Sequence, residues 1–337
     1  MKALSETLYH VRDMIQTHGR VQFYDGALFL PWSSSGFTMR FVGSSISFTF
    51  LDYSTEHLDF ATVNFKLFVD GVASSAMIST GREAIFANGL CEGEHTVTLM
   101  KVSESMAPVR VNGITVIGDE PKILSYRAPE YSLKLEFIGD SITCGYGVYG
   151  MRGGFVPYEE DSTAAYAALT AKALSAEYRL ISWSGAGIVR SCEGLRENRF
   201  IDFFKREVRE PSSNPHDFST WAPDVLVING GTNDQNSCVP VSDGEFEDGV
   251  RELYTFARSV YPKAKIVFYF GAMGHKYDGV YERTVADIRR ADSEVFFFTT
   301  EAISPLTEYG ANEHPNVKAH ERIAHDLINS MKENGVI

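Results

Sequence analysis

A serine hydroxyl is a poor nucleophile until a neighbouring base takes its proton, and an attacked carbonyl needs donors aimed at the oxyanion that forms. The stretch FIGDSITCGYG offers such a serine, Ser141, directly behind the apolar run LKLEFIGD. At a strand-to-helix transition backbone N–H groups lack helical partners, so the N–H of Ser141 itself is one candidate oxyanion donor. SWSGAG supplies a second, the N–H of Gly185, where no side chain blocks the approach of the backbone to a ligand. GGTND supplies a third, the side-chain amide of Asn233, which donates without adding charge. The base must come from farther along the chain. Three of the nine histidines fall in NEHPNVKAHERIAHDL, residues 312–327. His320 shares a stripe with Val317, Ala324, Leu327 and Met331, a helical spacing that faces a core, and His325 falls off that stripe. His314 stands in a loop, before a proline and the final helix, and is the candidate base.

Three neighbours of these residues invite a chemical reading and are better read as structural. Asp140 precedes the serine, but successive residues of a strand point to opposite faces. It is expected to bond nearby backbone N–H groups and shape the turn. Asp234, after Asn233, is read the same way. Cys144, three residues after Ser141, reads as a small buried hydrophobe. Tyr146, Tyr149, Tyr158 and Trp183 lie near the motif loops and are the aromatics available to line a ligand cleft, although packing in the core is the commoner fate of such rings. The stretch 149–161, YGMRGGFVPYEED, reads as a cleft rim or lid.

The elements that must position these groups fall into two rhythms. The first ~125 residues read as short strands of an antiparallel sandwich, preceded by a short helix near SETLYHVRDMIQ. FTMRFVGSSISFTFLD, 37–52, reads as a hairpin around Gly-Ser-Ser, and TVNFKLFVDGV, 62–72, ends in an Asp-Gly turn signal. Further strands lie at 95–102 and 109–118. After a linker at 126–132 the pattern alternates strand and helix through residues 133–337. LKLEFIGD is followed by a helix at 162–174, capped by Ser162 or Thr163, and a strand at 178–185. The strand 224–231 is of almost unbroken apolar residues, as expected when both faces are covered. Helix 244–259, strand 265–270, helix 279–291, strand 295–300 and a last helix near 316–332 complete an α/β, doubly wound parallel sheet. In such sheets ligands bind outside the carboxyl ends of the strands, where the loops carrying Ser141, Gly185 and Asn233 all lie.

Composition bounds the partners. The 337 residues are 44% hydrophobic with a formal net charge of −13, which argues against nucleic-acid and anionic-membrane partners. No apolar run is long enough to span a membrane. Cys91, Cys144, Cys192 and Cys238 are scattered with no CxxC pair, so neither a zinc site nor a disulfide framework is expected. MKALSETLYHVRDMIQTHGR lacks the apolar core of a secretory signal, and the expectation is a cytoplasmic protein, or a secreted one had a signal been trimmed.

Four blocks in order, FIGDSITCGYG, SWSGAG, GGTND and NEHPN, resemble those of the SGNH (GDSL-like) hydrolases over residues 132–337. With the preceding sandwich and GLCEGEHTVTLMKVSES (89–105), nearly the whole chain resembles carbohydrate esterase family 2. The resemblance implies a jelly-roll-like N-terminal domain at 1–125 and an SGNH catalytic domain at 133–337. It also implies acetyl-ester hydrolysis on xylan, glucomannan and related sugars through Ser141 and His314, with Ser141, Gly185 and Asn233 forming the oxyanion hole and Tyr146, Tyr149, Tyr158 and Trp183 as the candidates to stack on the sugar. No metal or organic cofactor is called for. Many SGNH hydrolases place an aspartate three residues before the histidine, and here that position is Ala311. Some members of the esterase family work with a Ser-His dyad whose imidazole is held by a backbone carbonyl, and the carbonyl of Asn312 is the candidate here. Glu313 as a displaced acid is the rival. Two other readings fit the same residues: a lipase- or thioesterase-like hydrolase on non-sugar acyl esters, and a sugar-binding protein with a vestigial hydrolase domain. Neither the acetyl position nor the oligomeric state is encoded in any of these motifs.

Overall fold

The computed structural model describes residues 1–51, 63–78, 85–104, 109–151, 153–209 and 213–337; Asp52, Thr62, Ser105 and Arg152, at the edges or inside of stretches read above, lie outside these residues. The chain divides into two units, Met1–Glu130 and Tyr131–Ile337.

The first unit is built of strands. In chain order they are β1 (Lys2–Thr7), β2 (Gln16–His18), β3 (Gln22–Tyr24), β4 (Ala27–Leu30), β5 (Ser35–Gly43), β6 (Ser45–Leu51), β7 (Val63–Val69), β8 (Val72–Ile78), β9 (Ile85–Ala87), β10 (Gly93–Lys101), β11 (Val109–Gly118) and β12 (Lys122–Leu124). They form two antiparallel sheets. One has the order β3-β4-β11-β6-β9 with β1 also on β11, and the other has β12-β5-β10-β7-β8 with β2 on β5. Alternate residues point inward, as the pleat dictates: Phe37, Met39 and Phe41 of β5 and Ile46, Phe48 and Phe50 of β6 are buried in one core. Asp70 and Gly71 both take positive φ and turn β7 into β8, as the Asp-Gly signal implies.

Two local readings are corrected here. Residues 37–52 do not form a hairpin, because β5 and β6 belong to different sheets and the Gly-Ser-Ser stretch carries the chain from one to the other. Gly43 serves close approach at this crossing: a Cβ there would lie 2.6 Å from the carbonyl oxygen of Ile117. The expected helix near residues 5–16 is replaced by β1, which pairs with β11, and a single 3₁₀ turn at Arg12–Met14. Leu8 and Val11 reach the sandwich core from the connecting turns, so their helical spacing is satisfied without a helix.

The second unit contains β13 (Lys134–Gly139), α1 (Ser141–Cys144), α2 (Tyr166–Ala173), β14 (Glu177–Ser182), α3 (Phe200–Phe204), β15 (Val225–Asn229), α4 (Thr232–Gln235), α5 (Asp243–Val260), β16 (Lys265–Phe270), α6 (Asp278–Ile288), β17 (Val295–Thr299) and α7 (Val317–Glu333). The five strands are parallel, in the order β14-β13-β15-β16-β17. Leu135, Phe137, Val225 and Val227 face the α2 and α7 side with Tyr166, Ala324 and Leu327. On the opposite face Phe268 and Phe270 meet Tyr281 of α6, which packs edge-on to Phe246 of α5. Neither Ser162 nor Thr163 caps α2. Asp161 caps a 3₁₀ turn at Ser162–Ala164 through Thr163 N–H, and α2 starts only at Tyr166. Among the described residues no helix is long and apolar enough to cross a membrane.

His320 anchors α7 to α2. It is fully buried, and its Nδ1 accepts the backbone N–H of Tyr166 at 3.1 Å. The proton therefore sits on Nε2, which has no partner among the described residues. Burial pushes the imidazole down to about 3. Below the unfolded value of 6.5 the unfolded chain takes a proton that the native state refuses, so this group costs stability progressively as pH falls from 6.5 toward 3. Between pH 6.5 and 5 the loss from this one group is roughly 2 kcal/mol. His320→Asn keeps an acceptor for Tyr166 and cannot titrate. Urea unfolding at the two pH values should show His320→Asn less stable than wild type at pH 6.5 but losing less on acidification; equal losses would remove His320 from the account.

Candidate active site

Register brings three loops to one place. Gly139, the last residue of β13, pairs with Ser182 at the end of β14 on one side and with Asn229 at the end of β15 on the other. The three strands thus end level, and the segments after them, 140–141, 183–187 and 230–234, leave the sheet side by side. Asp140 caps α1 by accepting the Ile142 N–H at 3.0 Å, which makes Ser141 the first residue of that helix. Ser141 is 5% exposed. No protein acceptor among the described residues takes the backbone N–H of Ser141 or of Gly185.

The last loop before α7 brings the imidazole of His314 to the serine, with Nε2 2.9 Å from Ser141 Oγ. Its Nδ1 lies 3.0 Å from the main-chain oxygen of Asn312. A carbonyl oxygen only accepts, so Nδ1 carries the proton and Nε2 presents a lone pair to the hydroxyl. No carboxylate among the described residues is hydrogen-bonded to the ring, and the Glu313 side chain is exposed to solvent. Burial lowers the imidazole below its ordinary range, opposed in part by the bonds to the Asn312 and Ala311 main chain. It is therefore neutral, as a base must be, at pH 7.

Asp140 and Asp234 face inward and tie the loops together. Asp234 accepts the N–H groups of Ile188, Val189 and Arg190 at 2.8, 2.7 and 2.9 Å, which pins the loop that carries Gly185. Burial raises both carboxyls, Asp140 to about 7, and the nearby charge of Asp234 adds to the shift of Asp140. Asn233 donates its Nδ2 hydrogens to the Ala186 oxygen at 2.7 Å and to Asp140 Oδ2 at 3.3 Å. Its amide is thus held between the first and second loops, and the longer of the two bonds is the one a ligand oxygen can replace.

Cys144 is fully buried, its thiol donating to Ser182 Oγ at 3.3 Å. The aromatic candidates divide. Arg209 covers the Trp183 ring at 3.8 Å, Tyr149 donates its hydroxyl to Asp161, and Tyr158 is exposed. Tyr146 is stacked on Phe155 at 3.9 Å and lies 4.5 Å from the imidazole of His314. Sequence reasoning set Tyr146 among possible sugar platforms and passed over Phe155. The signal that could have separated them is the position of Tyr146 five residues beyond the serine, just past the short helix that Ser141 heads.

A model of the GDSL-like lipase/acylhydrolase family matches residues 137–322, and a model of the carbohydrate esterase 2 N-terminal domain matches residues 17–125. The chain is 31% identical over 332 residues to the cellulase/esterase CelE of Acetivibrio thermocellus, covering 94% of this chain and 39% of that protein. It is 30% identical over 209 residues to an acetylxylan esterase / glucomannan deacetylase of Cellvibrio japonicus, covering 60% of this chain and 55% of that one. The chain spans about half the length or less of these curated relatives. Among solved structures, a family two carbohydrate esterase from Clostridium thermocellum in complex with cellohexaose superimposes with a TM-score of 0.87 at 30% identity, over 96% of this chain and 100% of that one. Both halves of the molecule and the order of its motifs lead to one assignment: the chain belongs to the GDSL-like lipase/acylhydrolase family and carries the N-terminal domain of carbohydrate esterase family 2.

Proposed function

We propose that this protein is a serine esterase that removes O-acetyl groups from plant-type oligo- and polysaccharides such as xylan and glucomannan. The observation that carries the proposal is the 2.9 Å contact of Ser141 Oγ with an imidazole whose tautomer is fixed by the Asn312 carbonyl. The substrate class comes from the names of the relatives, an acetylxylan esterase / glucomannan deacetylase and an esterase seen with cellohexaose.

In the first step Nε2 of His314 takes the Ser141 proton as Oγ bonds to the acetyl carbon. The carbonyl oxygen becomes an oxyanion, received by the N–H groups of Ser141 and Gly185 and by the Asn233 amide, which releases Asp140. Collapse breaks the carbon–oxygen bond to the sugar, and His314 returns the proton to the departing alkoxide. Water then attacks acetyl-Ser141 with His314 again as base, the acyl–Oγ bond breaks, His314 returns the proton to Ser141 Oγ, and acetic acid leaves and ionises to acetate. Substrate oligomer, free in solution or on a polymer surface, needs no nucleic-acid or membrane partner.

Ser141→Ala should lower turnover of an aryl acetate by at least ~10³-fold, and the wild type should release acetate from acetylated xylo- and mannooligosaccharides. Retained turnover in the variant would sink the assignment. An octanoyl aryl ester turned over as well as the acetyl one would favour the lipase-like reading, and sugar binding without Ser141-dependent acetate release would favour the vestigial one.

Because the base must be neutral and its value is lowered, the acid limb of kcat/KM should fall below pH 6.5. A profile for the aryl acetate over roughly pH 4 to 8 checks this. A limb near 7 that disappears in Asp140→Asn would assign the titration to Asp140 instead.

A further inference from the structure

Resting on the reading of Ser141 and His314 as nucleophile and base, we propose that Tyr146 is a positioning residue that joins the two, clamping the turn whose main-chain carbonyl orients His314. One residue reaches both partners. The Tyr146 N–H donates to the carbonyl of Ser141 at 3.1 Å, while its hydroxyl accepts the side-chain amide of Asn312 at 2.9 Å. Its ring lies against the imidazole of His314 and is itself stacked on Phe155.

The turn needs such a clamp. Asn312 (φ 47°, ψ 39°) and Glu313 (φ 61°) are consecutive left-handed residues, and neither is glycine. L-residues hold that conformation only where the surroundings enforce it. Asn tolerates it better than most, which suits its place here. Bonds across the turn and beside it enforce it: His314 N–H to the Ala311 oxygen at 3.0 Å, Gly310 N–H to the His314 oxygen at 2.6 Å, Asn312 N–H to the Gly153 oxygen at 2.8 Å, Ala311 N–H to the Gly147 oxygen at 3.1 Å, and the Asn312 amide to Tyr146. Of these, only the last is made by side chains, and it is made by the residue whose main chain carries the acceptor for Nδ1. A neutral carbonyl offers the forming imidazolium less than a carboxylate does, so its aim has to be correct before the reaction begins.

The test uses Tyr146→Phe, which keeps the ring packing and removes the acceptor. Its partner is Asn312→Gly, which keeps the carbonyl and eases the left-handed backbone while removing the amide. Each should lower kcat for an aryl acetate by about 10- to 100-fold with KM little changed. The double variant should be no slower than the slower single one, since both remove one hydrogen bond. In proton NMR the downfield His314 Nδ1–H resonance of the wild type should broaden or vanish in Tyr146→Phe. Wild-type kcat together with an unchanged Nδ1–H signal in Tyr146→Phe would overturn the proposal, and so would multiplicative losses in the double variant. The NMR arm needs no turnover, so it tests the clamp even if Ser141→Ala shows that hydrolysis does not depend on the serine.

Discussion

Two carboxyl groups taken out of water hold the site together. Asp140 and Asp234 are 0% and 1% exposed, and their burial is tolerable only because backbone and amide N–H groups replace the lost water. Asp234 absorbs three consecutive N–H groups from the second loop, and Asp140 takes the Ile142 N–H of α1 and one hydrogen of Asn233. Each loop after a strand end is therefore bound to its neighbour through a carboxyl or an amide, beside apolar contacts such as that of Ile188 against Gly230. The raised value of Asp140, about 7, is the electrostatic cost of that arrangement: burial disfavours its charged form, and the nearby charge of Asp234 adds to the shift.

The same constraint gives the sheet its role. A parallel ladder in register ends its strands together, and here Gly139 stands opposite Ser182 and Asn229. Shift β14 or β15 by two residues and the carboxyls would face the wrong loops. β15 itself is buried along its whole length, as a strand covered on both faces should be.

How much of this was legible follows from what each feature depends on. The parallel sheet was legible because β15 and β16 are almost unbroken apolar runs, Asn229 and Lys265 apart, and alternate with amphipathic helices, so strand 265–270 matches β16 and the helices at 244–259 and 316–332 fall within a residue or so of α5 and α7. The motif loops were legible because they follow those strands. The 37–52 stretch was not, since alternation reports which face is buried and says nothing of which partner is paired. Nor was β1, whose partner β11 lies more than a hundred residues away, and whose Leu8 and Val11 mimic a helical stripe. Tyr146 could not be placed for a related reason. Its surroundings are set by the backbone at Asn312 and by Phe155, neither of which a local reading of CGYG contains.

The alanine at position 311 illustrates how one packing decision settles several others. Ala311 is fully buried with its methyl turned toward the loop that follows the nucleophile: a Cβ on Gly150 would come within 2.5 Å of it, and one on Gly147 within 2.8 Å. No carboxylate fits between these backbones, and one placed there would point at glycine, away from the imidazole. The closeness that excludes the side chain is also what lets Ala311 N–H reach the Gly147 oxygen and Asn312 N–H reach the Gly153 oxygen. Those two bonds hold the left-handed turn that aims the Asn312 carbonyl at Nδ1. The lost acid and the gained carbonyl are thus one structural fact. An aspartate restored at 311 would have to open the contact that orients His314, so in this chain it would undo the arrangement it is meant to supply.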